Sequence, residues 1–316
     1  MPITAADLPA TESTIYHLHL RPEELAPAVL LVGDPDRVPF LADELLTSRE
    51  VSVLHRGLAT ITGTVRETGQ RISIVTSGMG TPSLEIVLGE LFALSAIDLT
   101  TRTLRRNPTR LSIIRVGTSG ALQEETPLGT AIISTHALGL DNTALFYDAA
   151  PTCPEFEALE SRAAGALRAA LPEHARLARG ITPYLAPADP EVVTALERAA
   201  GSINLTARRG LTVTNSGFFG NQGRGIFPFP IVLPEIDRIM AGLEGLNGLR
   251  FENMEMESSF LFYLGHALGY RVGSICPAIA NRALNTFTDR HLALVRESAR
   301  AATLALAELE QPGHTG

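Results

Sequence analysis

From residue 28 onward the chain alternates short apolar runs with segments of helical spacing. The run AVLLV at 28–32 ends in Gly33-Asp34-Pro35 and predicts a strand. Residues 38–46 follow with helix-like spacing. Residues 51–54 and 59–65 alternate and are rich in Val, Thr and Ile, the pattern of antiparallel strands. RISIVT at 71–76 predicts another strand and runs into Ser77-Gly78-Met79-Gly80. A helical pattern opens at Pro82 and continues to Leu94, with proline in the first turn, where its missing N–H costs nothing. LSIIRV at 111–116 and TAIIS at 130–134 predict two more strands. Helices rich in Ala and Glu are expected at 155–171 and 190–200, a strand at 211–214, a helix at 258–268, a strand at 271–275 and a long last helix at 289–309.

Strands that alternate with helices, several ending in Gly-rich loops, predict an α/β fold. The expected form is a single three-layer α/β/α domain over 1–316 with a central mixed β-sheet. Ligands of such sheets bind at the carboxyl ends of the strands. Residues 1–27 lack clean periodicity and read as an N-terminal segment. Residues 151–190 carry six prolines and read as a surface excursion rather than a domain boundary.

Composition narrows the function. A chain of 316 residues with 45% hydrophobic positions can bury a sizeable core. The net charge of −8 argues against a bulk nucleic-acid surface but leaves room for a local basic pocket. Two cysteines, Cys153 and Cys276, make no disulfide framework and fit no metal-ligand spacing. No basic stretch leads into an apolar core at the N-terminus, and no apolar run reaches about 18 residues. The expectation is a cytoplasmic protein with no membrane partner and no metal.

Six short stretches carry candidate chemistry. Gly33-Asp34-Pro35-Asp36-Arg37 follows a strand. Its glycine lets backbone N–H groups near an anion, and its arginine offers a fixed fork for phosphate oxygens; a plain turn has the same composition. Ser77-Gly78-Met79-Gly80-Thr81-Pro82-Ser83 is a strand–turn–helix start that suits an anion but matches neither the dinucleotide fingerprint nor a P-loop. Arg115, in Arg115-Val116-Gly117-Thr118-Ser119-Gly120, ends an apolar strand, where a charge must be paired or face a ligand. Phe218-Phe219-Gly220-Asn221-Gln222-Gly223-Arg224 joins aromatics, one amide and one guanidinium. Uracil presents an apolar face, two carbonyls and one N–H, which that set can meet; a mobile polar loop is the bland alternative. In Asn253-Met254-Glu255-Met256-Glu257-Ser258 two carboxylates two residues apart share a face if the stretch is extended, and can hold vicinal hydroxyls. An acidic helix start would also explain either one of them. Asn281-Arg282 is again a strand end with a cation.

In this order the stretches VGDPDRV, SGMGTPS, IRVGTSGAL, FFGNQGR, NMEMESS and the Asn-Arg pair resemble the uridine phosphorylase branch of the nucleoside phosphorylase family. The resemblance covers residues 16–282. It implies one active site per subunit, shared with a neighbour, in a homodimer that can assemble further into a trimer of dimers. By motif match, Gly33, Arg37, Arg115 and Thr118 would bind phosphate, and Arg56 would reach the phosphate of the adjacent subunit. Phe218, Gln222 and Arg224 would hold the base. Glu255, Met256 and Glu257 would hold the ribose. His17 would contact the 5′-hydroxyl across the interface, with His19 as its competitor, and Arg282 would close over the base. Against the family, 99–110 and 152–183 read as insertions. Gly57 stands where an acidic residue usually follows, which removes the expectation of a monovalent-cation site. ALNTFTD after Arg282 departs from the usual sequence.

The resemblance implies phosphorolysis: inorganic phosphate is the nucleophile and no cofactor is called on. The expected products from uridine are uracil and ribose 1-phosphate, with deoxyuridine and thymidine as further candidate substrates. Arg224, Gln222 and Arg282 are the expected catalytic groups, stabilising negative charge on the departing base. Three rivals stand beside this reading: a purine nucleoside phosphorylase, a nucleosidase that uses water, and a non-catalytic nucleoside-binding protein. Ala283 stands where the purine branch commonly places an aspartate, and three arginines aimed at phosphate would have no use in a nucleosidase.

Overall fold

The computed structural model describes residues 3–149, 151 and 153–310. In chain order its strands and helices are β1 (Ala28–Val32), α1 (Arg37–Leu45), β2 (Val51–His55), β3 (Leu58–Thr64), β4 (Arg71–Thr76), α2 (Thr81–Ala96), β5 (Ile97–Asp98), β6 (Thr103–Leu104), β7 (Ser112–Val116), β8 (Ser119–Ala121) and β9 (Ala131–Gly139). There follow α3 (Pro154–Ala170), β10 (Tyr184–Pro187), α4 (Pro190–Ser202), β11 (Ala207–Thr214), α5 (Ile236–Ala241), β12 (Phe251–Glu255), α6 (Ser258–Ala267), β13 (Arg271–Asn281), β14 (Thr286–Phe287) and α7 (His291–Leu309).

The main sheet is mixed and runs β10-β9-β11-β12-β8-β13-β7-β1-β4-β3-β2, with β14 on β13. β9 also pairs antiparallel with β13, so β9, β11, β12, β8 and β13 close into a ring. β1 lies parallel between β4 and β7. All five of its residues are buried, which is why its sequence is continuously apolar instead of alternating. β2 is the outer strand of its end and alternates half-buried with exposed.

Helices cover both faces. Val272 and Gly273 are consecutive on β13 and so point to opposite sides. A Cβ on Gly273 would meet Val192 of α4, while one on Gly265 of α6 would meet Val272. α4 packs with α7 and α7 with α1 on one side; α6 packs with α2 on the other. This is the expected three-layer α/β/α arrangement. α2 and α6 are apolar almost all round because each is buried in its layer. α4 starts where the chain provides a cap: Asp189 accepts from the Glu191 N–H, and Pro190 occupies the first turn.

Three segments differ from the sequence reading. β13 continues to Asn281 through Pro277, because it changes partners there from β7 to β8 and β9 and absorbs a bulge near Ala278. Residues 251–255, not expected as a strand, form β12; among its buried polar side chains Glu252 pairs with Arg208 and the Asn253 oxygen accepts from Thr212. The 151–190 stretch is more than a surface excursion. α3 buries Leu159, Ala163 and Leu167 in a second apolar cluster with Leu185, Val213, Met240 and Phe251. Residues 99–110 contain the turn and the exposed second strand, β6, of a two-strand ribbon whose first strand, β5, precedes them. Residue 152, at the start of the other expected insertion, lies outside the described residues.

Leu30, fully buried in β1, tests the centre of the sheet. Leu30→Ala should lower the unfolding free energy by about 2–5 kcal/mol, read from urea denaturation.

Candidate active site

One cavity of about 930 Å³ opens at the ends of β1, β7, β12 and β13 and beside the loop after β11. Its volume lies within the range of small-molecule sites. It gathers Gly33, Arg37, Arg115, Thr118, Phe218, Gln222, Arg224, Glu255, Met256, Glu257 and Arg282. His17 and Arg56 are outside it.

At one end two arginines lie side by side. Arg115 projects from β7 and is almost fully buried. It donates to Glu257 and to the Cys276 Sγ, and lies 3.0 Å from Glu255 Oε2. Burial opposes its charge, but Glu257, Cys276 and Glu255 outweigh this and hold its pKa above the ordinary value. Arg37 begins α1, and burial pulls its guanidinium below its usual value; Asp34 opposes this and Arg115 adds to it. The Nε atoms of Arg37 and Arg115 are buried without a hydrogen-bond partner among the described residues. Gly117 is required by space: a Cβ there would lie 2.1 Å from Arg115 Nη1.

The two glutamates divide the work. Glu255 ends β12, and Glu257 stands just before α6. Glu255 is saturated from within the protein. It accepts from the Thr214 hydroxyl and from the N–H groups of Glu257 and Ser258, and it faces Arg115. No lone pair is left for a ribose, so its place is to hold Arg115 and the start of α6. Glu257 accepts from the Gly80 N–H at 2.6 Å and from Arg115, one bond per oxygen. Burial pushes its pKa up, against the pull of Arg115. Its remaining lone pairs and Met256 face the cavity.

The other end is the loop of residues 216–232. Gly223 takes a positive φ of 74°, and a Cβ there would lie 2.7 Å from the Pro234 carbonyl oxygen. Gln222 is buried, and Arg224 donates to its side-chain oxygen and to the Phe218 carbonyl. The Arg224 guanidinium lies 3.9 Å from the Phe218 ring centre. Burial, then Arg282, lower its pKa to about 10, which leaves it a cation at neutral pH. Arg282 reaches in from the end of β13. The sequence offered no signal for Asp237, which comes from α5 and pairs with Arg282 inside the cavity at 2.9 Å.

His17 and Arg56 sit together on the surface instead. Arg56 and Gly57, with φ of 52° and 79°, are the two-residue turn joining β2 to β3. Such turns need positive φ at both positions, which accounts for Gly57 on backbone grounds alone. Arg56 is exposed and donates to the Tyr16 hydroxyl at 3.2 Å. His17 Nδ1 is 2.7 Å from Glu90 Oε1, and the His19 ring packs at 4.8 Å from His55.

The phosphorylase superfamily model matches residues 27–310. The uridine phosphorylase of Thermococcus kodakarensis is 31% identical over 300 residues, 93% of this chain and 89% of that protein. The Escherichia coli uridine phosphorylase is 28% identical over 86% of this chain and 88% of its own. A crystal structure of a Trypanosoma brucei nucleoside phosphorylase, described as showing uridine phosphorylase activity, superposes with a TM-score of 0.83. It is 28% identical and covers 96% of this chain and 99% of its own. A cavity with paired buried arginines, a double-glutamate turn and an aromatic–amide–guanidinium loop thus sits on a shared fold, and the chain belongs to the phosphorylase superfamily.

Proposed function

We propose that the protein cleaves uridine with inorganic phosphate, giving uracil and ribose 1-phosphate, as a cytoplasmic homodimer without a cofactor. The observation that carries this is the pair of arginines, Arg37 and Arg115, lining with Glu257 the same cavity as the Phe218–Gln222–Arg224 loop. Phosphate, held by Arg37, Arg115, Thr118 and the backbone at Gly33, attacks C1′. Glu257 and Met256 hold the ribose. The C1′–N1 bond breaks with its electron pair going to the base, where Gln222 and Arg224 stabilise the charge. Similarity to uridine phosphorylases, 31% and 28% identical over most of the chain, supports this substrate.

The charges of the phosphate end support a shared site. In one chain Arg37 and Arg115 face Asp34, Glu255 and Glu257, so a phosphate dianion meets no net positive charge there. A further cation completes it, and Arg56 is presented on an exposed hairpin tip where a second copy could receive it. His17 would travel with it. A purine substrate is the second reading. It is favoured by the carboxylate of Asp237 in the cavity and by a 35% identity over 121 residues to a DeoD-type purine nucleoside phosphorylase of Alkaliphilus metalliredigens.

Uracil release from uridine, followed by absorbance, should require phosphate. Release without phosphate would mean a nucleosidase, and turnover of inosine alone would favour the purine reading. Arg224→Ala should lower turnover by roughly 100–1,000-fold; a near-normal rate would remove this loop from the chemistry. Inactive Arg56→Ala and Arg224→Ala proteins, mixed under conditions of subunit exchange, should regain about one quarter of the wild-type rate, because half the dimers are mixed and one site in each is intact. No recovery would separate Arg56 from the neighbouring site.

A further inference from the structure

The base-reading loop is held by little. Within it, the N–H groups of Gln222 and Arg224 bond to the Phe219 carbonyl and that of Gly223 to the Gly220 carbonyl. Arg224 turns back on Phe218 and Gln222. Among the described residues, a single hydrogen bond ties residues 216–232 to the rest of the chain: Arg282 Nη2 donates to the Gln222 carbonyl at 2.6 Å. The same guanidinium donates through Nε to Asp237 Oδ2 at 2.9 Å. Gly120 leaves room for its stem, since a Cβ there would come within 3.4 Å of Arg282 Cδ and Cγ. Arg282 and Asp237 are both largely buried, with side chains 11% and 18% exposed, so a wandering surface pair is ruled out.

Charge points the same way. Arg224 and Arg282 are two guanidinium groups at one end of one cavity, and each opposes the other. Asp237 is the carboxylate that faces them both, and it favours the charged form of Arg224 as Arg282 disfavours it. With Asp237 the base end carries one net positive charge, suited to a base that leaves with negative charge. Without it, two unneutralised cations would crowd the loop, and Arg282 would lose the partner that orients it toward Gln222.

We infer that Asp237 is a positioning residue for base recognition: it holds Arg282 in the orientation that clamps the Gln222 carbonyl, and so places Gln222 and Arg224 against the base. This rests on the proposed uridine reading for its kinetic test but not for its structural one. The role is confined to one end of the cavity, since Asp237 touches none of the phosphate arginines.

The test compares wild type with Asp237→Ala, Asp237→Asn and Arg282→Ala by hydrogen–deuterium exchange and by steady-state kinetics in both substrates. Asp237→Ala should speed exchange at residues 218–225 and leave residues 28–37 at the wild-type rate. It should raise KM for uridine about tenfold or more with KM for phosphate unchanged. Asp237→Asn, which keeps the shape of the side chain, should show the same direction with smaller size. Adding Asp237→Ala to Arg282→Ala should cost nothing further if the two act as one unit. Exchange at 218–225 that matches wild type in both Asp237 variants would overturn the inference, as would equal changes in the two KM values or additive losses. A wild-type protein that leaves uridine intact would overturn the substrate reading alone, because the exchange comparison still decides whether Asp237 and Arg282 hold the loop.

Discussion

The site depends on one buried cation. Arg115 stands at the end of an apolar strand and is almost excluded from water, so its charge must be met on the spot. Glu255 and Glu257 meet it. That requirement organises the surroundings. β12 must end within reach of Arg115, with β8 and β13 between it and β7 in the sheet, so that Glu255 arrives with its oxygens already satisfied. Gly117 must lack a side chain so that the guanidinium can fold past its own loop. The Gly80 N–H must sit where the second oxygen chain of contacts, through Glu257, can be completed. Breaking such a set by removing one member typically costs about 3–5 kcal/mol, because the remaining charges stay buried.

The two glutamates show how similar residues two positions apart acquire different work. Glu255 has every lone pair engaged by Thr214, two backbone N–H groups and Arg115, and this makes it a rigid strut. Glu257 has one protein bond on each oxygen and keeps capacity for a ligand. Hydrogen-bond counting separates strut from binding group where residue type cannot. The two ends of the cavity contrast in the same manner. The end with Arg37 and Arg115 is built into strand ends and buried ion pairs. The other end is a loop with local hydrogen bonds, and among the described residues its one hydrogen bond to the body comes from Arg282. On the proposed reading, rigid positioning suits a small symmetrical anion held in line with C1′, and the looser end faces the part of the substrate that departs.

Much of the fold was legible in the chain because the governing signals are local. AVLLV reads as a strand, Pro82 opens a helix in its first turn, and RISIVT running into glycine ends at a loop; each follows from side-chain pattern or backbone chemistry within a few residues. The Arg115 and Glu255–Glu257 stretches were legible as candidate chemistry because a charge at the end of an apolar strand, or a paired carboxylate, is unusual without a use; the Gln222–Arg224 loop stood out only through the resemblance. At Gly57 the structure adds a backbone reason to the sequence reading: it lies in a two-residue hairpin turn with positive φ.

What the sequence determined by itself is the list of elements and the residue types that could serve phosphate, ribose and base. Tertiary structure decided which of them meet. The continuation of β13 through Pro277 depends on strands more than a hundred residues away in sequence. The saturation of Glu255 depends on Thr214 and Arg115, and Asp237 enters the cavity only because α5 packs near the end of β13. His17 and Arg56 meet each other's surroundings on an outer face and not the cavity of their own chain. The physical reason is common to all of these. Backbone propensity and apolar periodicity act over a few residues, while hydrogen-bond saturation and charge pairing are settled by partners that only folding brings within reach.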